Sequence, residues 1–357
     1  MATIAQVAEH AGVGVATVSR VLNGSPSVRP ETRQRVLAAI GELRYAPNAA
    51  ARALSTGRTG SVGVIAPFFT TPSVMERLRG VSHILTAAGY RLVLFDVERP
   101  DEECLRAFPG AGGLDGLLSI SLCPPADALD RFAAARVPVV LVDGQHDRLP
   151  SVHTDDVAGG RLATEHLIAL GHERIAFLGD RERTGDWFVS SALRRAGYEA
   201  ALADAGLERD PALVRRGPHG RAEARLMTRD LLLTADPPTA LFAASDVQAL
   251  AALDAAEELG VSVPGELSVV GYDDIELARY AGLTTAAQPL EESGALGAEL
   301  LLAALEGAEV HDVELDVVVV ARSTTAERGK NPGSKDHIGP RAGRARHSRQ
   351  DGMRVRS

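Results

Sequence analysis

The chain has 357 residues, of which 45% are hydrophobic, and it carries a formal net charge of −9 at pH 7. This length favours two or three domains with buried cores, and no apolar run approaches the roughly 18 residues that a membrane-spanning helix requires. The sequence contains two cysteines, Cys104 and Cys123, and does not start with a basic and apolar leader. It therefore predicts a cytoplasmic protein without a disulfide framework.

The charge is unevenly distributed along the chain. Residues 1–60 contain seven arginines and three glutamates, a net charge of +4, and residues 328–357 contain nine Lys or Arg and two aspartates, a net charge of +7. The segment between them therefore carries −20. Attraction for phosphate is confined to the two ends, as expected for a modular regulator whose ligand-binding part stays off nucleic acid.

The chain begins with a pattern that predicts a short helix. Apolar residues recur at helical spacing from Ile4 onward. Thr3 and Gln6 have the spacing of a capping box, which satisfies unpaired backbone donors at a helix start. Gly12 can adopt the left-handed conformation that ends a helix and turns the chain.

A second helix can start directly after this turn. Its Val18 and Leu22 are spaced to pack against the first helix, which leaves Val15, Ala16 and Arg20 pointing outward. Two helices joined in this way form a helix-turn-helix, in which the second helix enters the major groove of DNA. The sequence thus predicts a DNA-binding head.

Two further helices are predicted before residue 60. The first begins at Pro30, a residue suited to the first helical turn, and its apolar stripe consists of Val36, Leu37, Ile40 and Leu43. Asn48 can cap the second, residues 49–55, which is too short to be stable alone in water. This hinge helix therefore needs a partner to fold.

The pattern changes after the small polar segment STGRTG, residues 55–60, which is a natural boundary. Continuous apolar runs then alternate with amphipathic helical stretches, first in SVGVIAPF, RLVLFDV, GLDGLLSI and VPVVLVDG, and later in RIAFLGD, TALFAASD and ELSVVGYDD. Such alternation predicts parallel sheets covered by helices on both faces, here in two similar α/β sets. A helix at residues 290–305 and a strand pair in VELDVVVVARST complete the predicted core.

The last segment differs again. Residues 328–357 are rich in Arg, Gly and Ser, with almost no apolar residues, so they are expected to be a disordered basic tail. It is either a solvated tail or a nonspecific DNA-binding arm. The predicted domains are therefore a head at 1–46, a hinge helix and linker at 47–60, a two-lobed core at 61–327 and the tail at 328–357.

Three strings in the head, AGVGVATVSRVLN, TRQRV and YAPNAAARAL, resemble the LacI/GalR family of bacterial transcription regulators. The resemblance extends to about Thr325. It implies an all-α helix-turn-helix head on an α/β core like that of periplasmic binding proteins, with two doubly wound lobes and the chain crossing between them more than once. It also implies a homodimer, a near-palindromic double-stranded DNA operator and a small effector, most simply a sugar.

The resemblance assigns roles to residues of the head. Arg20 is expected to pair with guanine, while Val15 and Ala16 suit thymine methyl groups. Leu54 matches a leucine that wedges into the central base step from the minor groove. Phosphate contacts are expected from Thr3, Thr17, Ser19, Asn23 and Tyr45, although short polar side chains also make local caps. Gly14 stands where the family commonly has a serine.

Ligands of open α/β sheets bind beyond the carboxyl ends of the strands, so the predicted effector site lies between the lobes. The residues expected there are Phe68, Phe69, Arg194, His219, Ser245, Asp246 and Asp273. Asp273 and Arg194 match the family's carboxylate and arginine for the effector, while His219 stands where the family pattern has an aromatic residue. The alternatives are a surface salt bridge for Arg194, core packing for the two phenylalanines, and capping of a helix near Ile275, mainly by Asp274.

Two other classes of protein fit the sequence less well. The core alone would also suit a sugar receptor of the transport type, which the basic head argues against. An enzyme is not expected, because the sequence contains no nucleophile elbow, P-loop or metal-ligand cluster, and GHERIAFLGD lacks the glycine pattern of a dinucleotide site. No cofactor and no metal are predicted.

Overall fold

The computed structural model describes residues 2–22, 24–45, 58–67, 70–97, 113–181 and 189–329. The chain forms a small helical head and a core of two α/β lobes. The head contains helices α1 (Ile4–His10), α2 (Val15–Leu22) and α3 (Pro30–Glu42). The predicted hinge helix, and the predicted tail beyond Gly329, lie outside the described residues.

The start of the head has the predicted local structure. The Thr3 side chain accepts a hydrogen bond from the backbone N–H of Gln6 at 3.3 Å, and the Gln6 side chain accepts one from the backbone N–H of Thr3 at 2.8 Å. Gly12 has a φ of +61°. The capping box and the glycine turn are both confirmed.

The three helices of the head enclose one small core. Its buried residues are Val7, Ala8, Ala11, Val18, Val21, Val36 and Ala39, and Leu22 packs against them as predicted. The predicted stripe of α3 was wrong at Leu37, whose side chain is 53% exposed. Ala39 lies on the buried face instead, because it is one helical turn from Val36.

The first lobe is built on a parallel sheet of six described strands in the order β11-β5-β4-β3-β1-β2. The strands are β1 (Ser61–Ala66), β2 (Arg91–Asp96), β3 (Gly116–Ile120), β4 (Val139–Val142), β5 (Ser151–Thr154) and β11 (Val313–Leu315). Its helices are α4 (Pro72–Ala87), α5 (Ala126–Ala134) and α11 (Leu290–Leu305). The central strands β1 and β3 are buried throughout, but the edge strand β2 is largely exposed, so full coverage of this sheet is not observed.

The second lobe contains a sheet of six described strands in the order β12-β10-β9-β8-β6-β7. They are β6 (Ile175–Asp180), β7 (Val214–Gly217), β8 (Ala240–Ala243), β9 (Ser268–Asp273), β10 (Thr284–Ala287) and β12 (Val318–Val320). Its helices are α6 (Asp156–Ala169), α7 (Ser190–Asp204), α8 (Arg221–Leu232), α9 (Asp246–Leu259) and α10 (Glu276–Tyr280). Only β12 pairs antiparallel among these described strands.

Within the described residues the chain crosses between the lobes three times: between β5 and α6, between β10 and α11, and between β11 and β12. As a result α6 packs in the core of the second lobe and α11 in that of the first. The predicted final strand pair was wrong, since β11 joins the first sheet and β12 the second. No described helix is long and apolar enough to cross a membrane.

Candidate functional site

A polar cleft lies between the two lobes, with a small cavity volume of about 40 Å³. The side chains around it come from both lobes, many of them from residues at or just after the carboxyl ends of parallel strands, where binding was predicted. Its polar lining includes Arg77, Ser121, Asp143, Asp180, Arg194, His219, Ser245 and Asp273. The structure thus brings together four of the predicted effector residues, Arg194, His219, Ser245 and Asp273.

Arg194 extends from α7 and is held on several sides. Its Nε donates to a carboxylate oxygen of Asp156 at 2.8 Å, and its Nη1 donates to the carbonyl oxygen of Ala244 at 2.6 Å. Its guanidinium lies 3.7 Å from the ring centre of Tyr272. Although burial opposes the charge, Asp156, Tyr272 and Asp273 raise the pKa of Arg194. The side chain is a fixed cation in the cleft wall, and the predicted alternative of a surface salt bridge does not apply.

Asp273 ends β9 in an unusual backbone conformation. Its φ is +118° and that of Asp274 is +60°, conformations that cost on the order of 1–3 kcal/mol each and concentrate at functional sites. One Asp273 carboxylate oxygen accepts a hydrogen bond from the side-chain amide of Gln288 at 2.7 Å and lies 3.7 Å from Nη1 of Arg194. Burial raises the pKa of Asp273 to about 6, although Arg194 and Arg77 oppose this shift.

A second acid and base pair faces the cleft from the first lobe. Asp143 follows β4, and its carboxylate accepts hydrogen bonds from Nη2 of Arg77 at 2.7 Å and from the hydroxyl of Ser121. Burial alone would raise the pKa of Asp143, but Arg77 and Arg194 hold it below its usual value. Arg77 is 3% exposed, and its Nε has no hydrogen-bond partner among the described residues.

Sequence reasoning missed this pair. Asp143 directly follows the quoted run VPVVLV, so the strand-end rule that selected Asp273 would also have selected Asp143. Arg77 lies within a helix, and no local pattern distinguishes it from other helical arginines. The pair supplies the first lobe's share of charged groups in the cleft.

His219 and Asp180 form the third charged pair. Nδ1 of His219 lies 3.2 Å from both carboxylate oxygens of Asp180, and the side-chain amide of Gln248 donates to Asp180 at 2.8 Å. Burial opposes protonation, but the hydrogen bond and the charge of Asp180 raise the pKa of His219. Asp180, which ends β6, was not predicted. The position expected from the family pattern to be aromatic therefore carries a polar donor.

The structure separates Ser245 from Asp246. Ser245 lines the cleft and caps α9, because its hydroxyl accepts from the backbone N–H of Gln248 at 3.3 Å. Asp246 is fully buried beside the cleft, and its carboxylate accepts from the backbone N–H of Ile275 at 2.9 Å and from Thr285 at 2.7 Å. The prediction of Asp246 as an effector residue is corrected to a structural role.

Asp274 also has a different role from the predicted helix cap. Its carboxylate pairs with Arg322 at 2.6 Å and with Arg279 at 3.4 Å, and its side chain makes no cap bond to α10. The N–H groups at the start of α10 are satisfied by Asp246 and by Glu76 of the first lobe. Phe68 and Phe69 lie outside the described residues.

The cleft combines hydrogen-bond donors and acceptors. Among the described residues, no group of three or more His, Cys, Asp or Glu side chains could hold a metal ion. Carboxylates accept hydrogen bonds and guanidinium groups donate them, so neighbouring groups of both kinds can satisfy the two roles of one hydroxyl. This arrangement matches a ligand with several hydroxyl groups.

The head presents a second candidate site on α2. Val18 and Val21 face its core, while Val15, Ala16 and Arg20 are exposed. The three predicted base-reading residues of this helix therefore share its outer side. Leu54, the fourth, lies outside the described residues.

The predicted phosphate-binding residues of the head differ in exposure. Thr3 is exposed but also forms the capping box of α1, and Thr17, Ser19 and Tyr45 are half-buried. Tyr45 packs against the core of the head. Asn23 lies outside the described residues.

Two family models match the chain. Residues 3–48 match the bacterial regulatory proteins of the lacI family, and residues 164–325 match the periplasmic binding protein-like domain. The first match covers the head with its exposed helix α2. The second covers most of the second lobe, together with α11 and β11 of the first lobe and the second and third crossovers.

Similar proteins match along most of their length. The chain is 36% identical over 325 residues to the HTH-type transcriptional regulator CelR of Thermobifida fusca, a match that covers 88% of this chain and 94% of that protein. It is 35% identical over 311 residues to the HTH-type transcriptional repressor PurR of Photobacterium profundum, covering 85% and 91%.

Solved structures agree with these matches. The lac repressor dimer bound to operator and the anti-inducer ONPF has a TM-score of 0.78 to this chain at 32% identity, over 91% of this chain and 99% of that one. The complex of the transcriptional regulator CelR with cellobiose has a TM-score of 0.66 at 33% identity, over 91% and 100%. A helix-turn-helix head joined to a two-lobed binding core, with this degree of identity, places the chain in the LacI family of DNA-binding bacterial transcription regulators.

Proposed function

We propose that this regulator is a repressor that binds a near-palindromic operator as a homodimer, and that a sugar bound between its lobes changes its affinity for the operator. The observation that carries the proposal is that each side of the cleft presents one pair of an arginine and an aspartate. Arg77 and Asp143 lie on one side, and Arg194 and Asp273 lie on the other. Control of operator affinity by the sugar depends on a ligand binding there.

The charges around the cleft favour a neutral ligand. Arg77 and Arg194 already have carboxylate partners, so an anionic ligand would have to displace them. A neutral polyhydroxylated ligand can instead exchange single hydrogen bonds with each group. The structure of the relative CelR contains cellobiose, which supports a sugar, whereas the relative named PurR makes purines the class to test against it.

Operator recognition is assigned to the exposed side of α2. Arg20 reads guanine through two parallel hydrogen bonds, and Val15 and Ala16 contact thymine methyl groups. Thr3, Thr17, Ser19, Asn23 and Tyr45 contact phosphates and fix the register. Leu54 of the hinge helix wedges into the central base step, so Leu54→Ala should abolish operator bending without changing sugar affinity.

A homodimer follows from the need of two hinge helices to fold against each other. Large apolar side chains are exposed on both lobes of the core and are available to contact a second copy: Val93 and Leu94 of β2, Leu226 of α8, and Leu277 and Tyr280 of α10. Two copies related by a twofold axis would read two half-sites of a palindrome.

Sugar and operator act on each other's binding through the protein. If the sugar lowers operator affinity by some factor, the operator must lower sugar affinity by the same factor. The protein is placed in the cytoplasm, where its DNA target lies, and it is assigned no catalytic activity. A transport-type receptor is not favoured, because such a function has no use for the DNA-binding head.

The proposal is tested in two steps. The full-length protein first selects duplexes from a randomised DNA library, and its affinity for the selected duplex is compared with that for a random duplex of the same length. Thermal unfolding is then measured with cellobiose, ribose and other sugars, and with hypoxanthine and guanine. A sugar that raises the melting temperature should also change the affinity for the selected duplex. If only nucleobases raise the melting temperature, the proposal of a sugar effector is contradicted.

A further inference from the structure

We propose that helix α11 couples the cleft to the DNA-binding linker, and that Gln288 and Arg58 are the positioning residues at its two ends. The proposal rests on the effector control described above and adds a route for it. Helix α11 starts at the second crossover between the lobes and runs through the first lobe. A helix of its 16 residues is about 24 Å long, so it spans the distance from the cleft to the far side of the lobe.

Gln288 joins both lobes at the start of α11. Its side-chain amide donates to Asp273 of the second lobe at 2.7 Å, while its side-chain oxygen accepts from Arg77 of the first lobe at 3.1 Å and from Thr154 at 3.0 Å. Thr154 lies at the first crossover. The side chain of Gln288, which is 7% exposed, therefore links Asp273 to Arg77 and connects two of the three crossovers.

The start of α11 is also packed against α4 without space between their backbones. A Cβ atom on Gly294 would lie 2.0 Å from the carbonyl oxygen of Arg77, and one on Gly80 would lie 2.0 Å from that of Glu291. The backbone of Arg77 therefore touches α11, while its side chain contacts Gln288. A displacement of Gln288 or Arg77 must move the two helices together, because close-packed interiors transmit small shifts.

The other end of α11 contacts the linker. Nη2 of Arg58 donates to the carbonyl oxygen of Leu305, the last residue of the helix, at 3.1 Å. A cation is favourable at this position, because the carbonyl groups of the last turn lack partners within the helix. The next two residues are also fixed, since the backbone N–H groups of Thr59 and Gly60 donate to Asp115 at 2.6 and 2.8 Å.

These contacts form one connected set from the cleft to residue 58. A sugar hydroxyl that binds Asp273 competes with the amide of Gln288 for the same carboxylate. When Gln288 is released from Asp273, helix α11 shifts relative to the second lobe. At its other end, Leu305 then shifts relative to Arg58. The predicted hinge helix, residues 49–55, would end shortly before Arg58, so its pairing with a second copy depends on this position.

A double-mutant cycle tests the coupling without a sugar. Affinity for the selected duplex is measured for the full-length protein, Gln288→Met, Arg58→Gln and the double variant. Residues so far apart normally give independent effects, within about twofold. Coupling through α11 predicts that the double variant departs from the product of the single effects by at least about threefold. Independent effects would overturn the proposal.

Control variants separate coupling from general damage. Arg58→Lys keeps a cation near Leu305 and should restore affinity toward that of the unmodified protein. Arg131→Gln removes another exposed arginine of the first lobe, on α5 and paired with Asp127. Combined with Gln288→Met, it should give independent effects. A departure equal to that seen with Arg58 would also overturn the proposal.

Hydrogen exchange gives a second measurement that needs neither DNA nor sugar. In the full-length protein, Gln288→Met should speed exchange at the amides of Thr59 and Gly60, which are protected by Asp115, relative to Arg131→Gln. Unchanged exchange at both amides would contradict the coupling. If sugars leave operator affinity unchanged while the cycle shows coupling, the effector control proposed above fails and the connection through α11 stands.

Discussion

Asp273 combines a buried position with a carboxylate that must be ionised to accept two hydroxyl groups. Its pKa is raised from 3.8 to about 6, so its favourable contribution to stability is present below pH 3.8 and is lost as the pH rises through 6. This difference amounts to about 3 kcal/mol. At neutral pH the ionised Asp273 therefore serves as a hydrogen-bond acceptor but lowers the stability of the folded protein.

Asp273→Asn should accordingly be more stable than the unmodified protein at pH 7.5, by up to about 3 kcal/mol, and equally stable at pH 4. Asparagine has a similar shape but no charge, so only the titrating term is removed. Urea unfolding at several pH values measures the difference. A constant difference across this range would show that the pKa of Asp273 is not raised.

The same titration predicts the pH dependence of sugar binding. Below pH 6 a proton occupies Asp273 and removes an acceptor, so affinity should fall by up to about tenfold for each pH unit. Calorimetric titration with the sugar found by thermal unfolding measures this slope. Asp273→Asn should bind weakly and show a smaller slope between pH 7 and pH 5. A slope as steep as in the unmodified protein would assign the titration to another group of the cleft, such as His219, whose pKa is also raised.

Arg20 should determine base preference. Arg20→Ala should reduce the preference for the selected duplex over a random duplex by about 1–3 kcal/mol. Arg35→Ala removes an exposed arginine from α3, outside the recognition helix, and should weaken binding to both duplexes equally. If Arg20→Ala lowers the affinity for both duplexes equally, Arg20 contacts phosphate and does not read a base.

At the scale of elements, the pair α4 and α11 depends on glycine. Gly294→Ala should destabilise the core by about 1–3 kcal/mol, because its Cβ would overlap the backbone of Arg77. Glu299→Ala, on the exposed side of the same helix, should change stability by less than about 0.5 kcal/mol. Thermal unfolding of the two variants checks this. Similar values for both would mean that the two helices can separate without loss.

Elements with a local signal were predictable from the sequence. The capping box at Thr3 and the turn at Gly12 depend on neighbouring residues only, and the apolar runs of the core matched strands. The strand pair in VELDVVVV was wrong, because both halves favour a strand and no local pattern shows that the chain passes from one sheet to the other at Asp316. Partner choice between strands is a property of the tertiary fold.

The functional site was predictable to the extent that it follows strand ends. Asp273 and Ser245 could be located in this way, and Asp143 and Asp180 could have been found by the same rule. Arg77 and Gln288 could not, because a helix and a crossover bring them to the cleft from distant parts of the chain. Asp246 shows the converse limit: it lies at a strand end, but its side chain turns into the core.

The sequence separates its charges between two basic ends and an acidic core. If the basic tail is a nonspecific arm, a chain ending at Glu327 should bind random duplex more weakly at low salt and with a smaller salt dependence, about 0.9 lower in logarithmic slope for each lost phosphate contact. A full-length chain with the tail's Lys and Arg replaced by Ser controls for length. If the affinity for random duplex at low salt is unchanged, the tail is a solvated segment and not a DNA-binding arm.

The triple connection between the lobes has a consequence for synthesis on the ribosome. The first lobe lacks α11 and an edge strand until residue 315 has been made, and the second lacks β12 until residue 320. Neither half can complete its hydrophobic interior while the nascent polypeptide is still being extended through the tunnel. The face of α4 that packs against α11 stays exposed during most of translation. We therefore expect this chain to depend on chaperones during its synthesis.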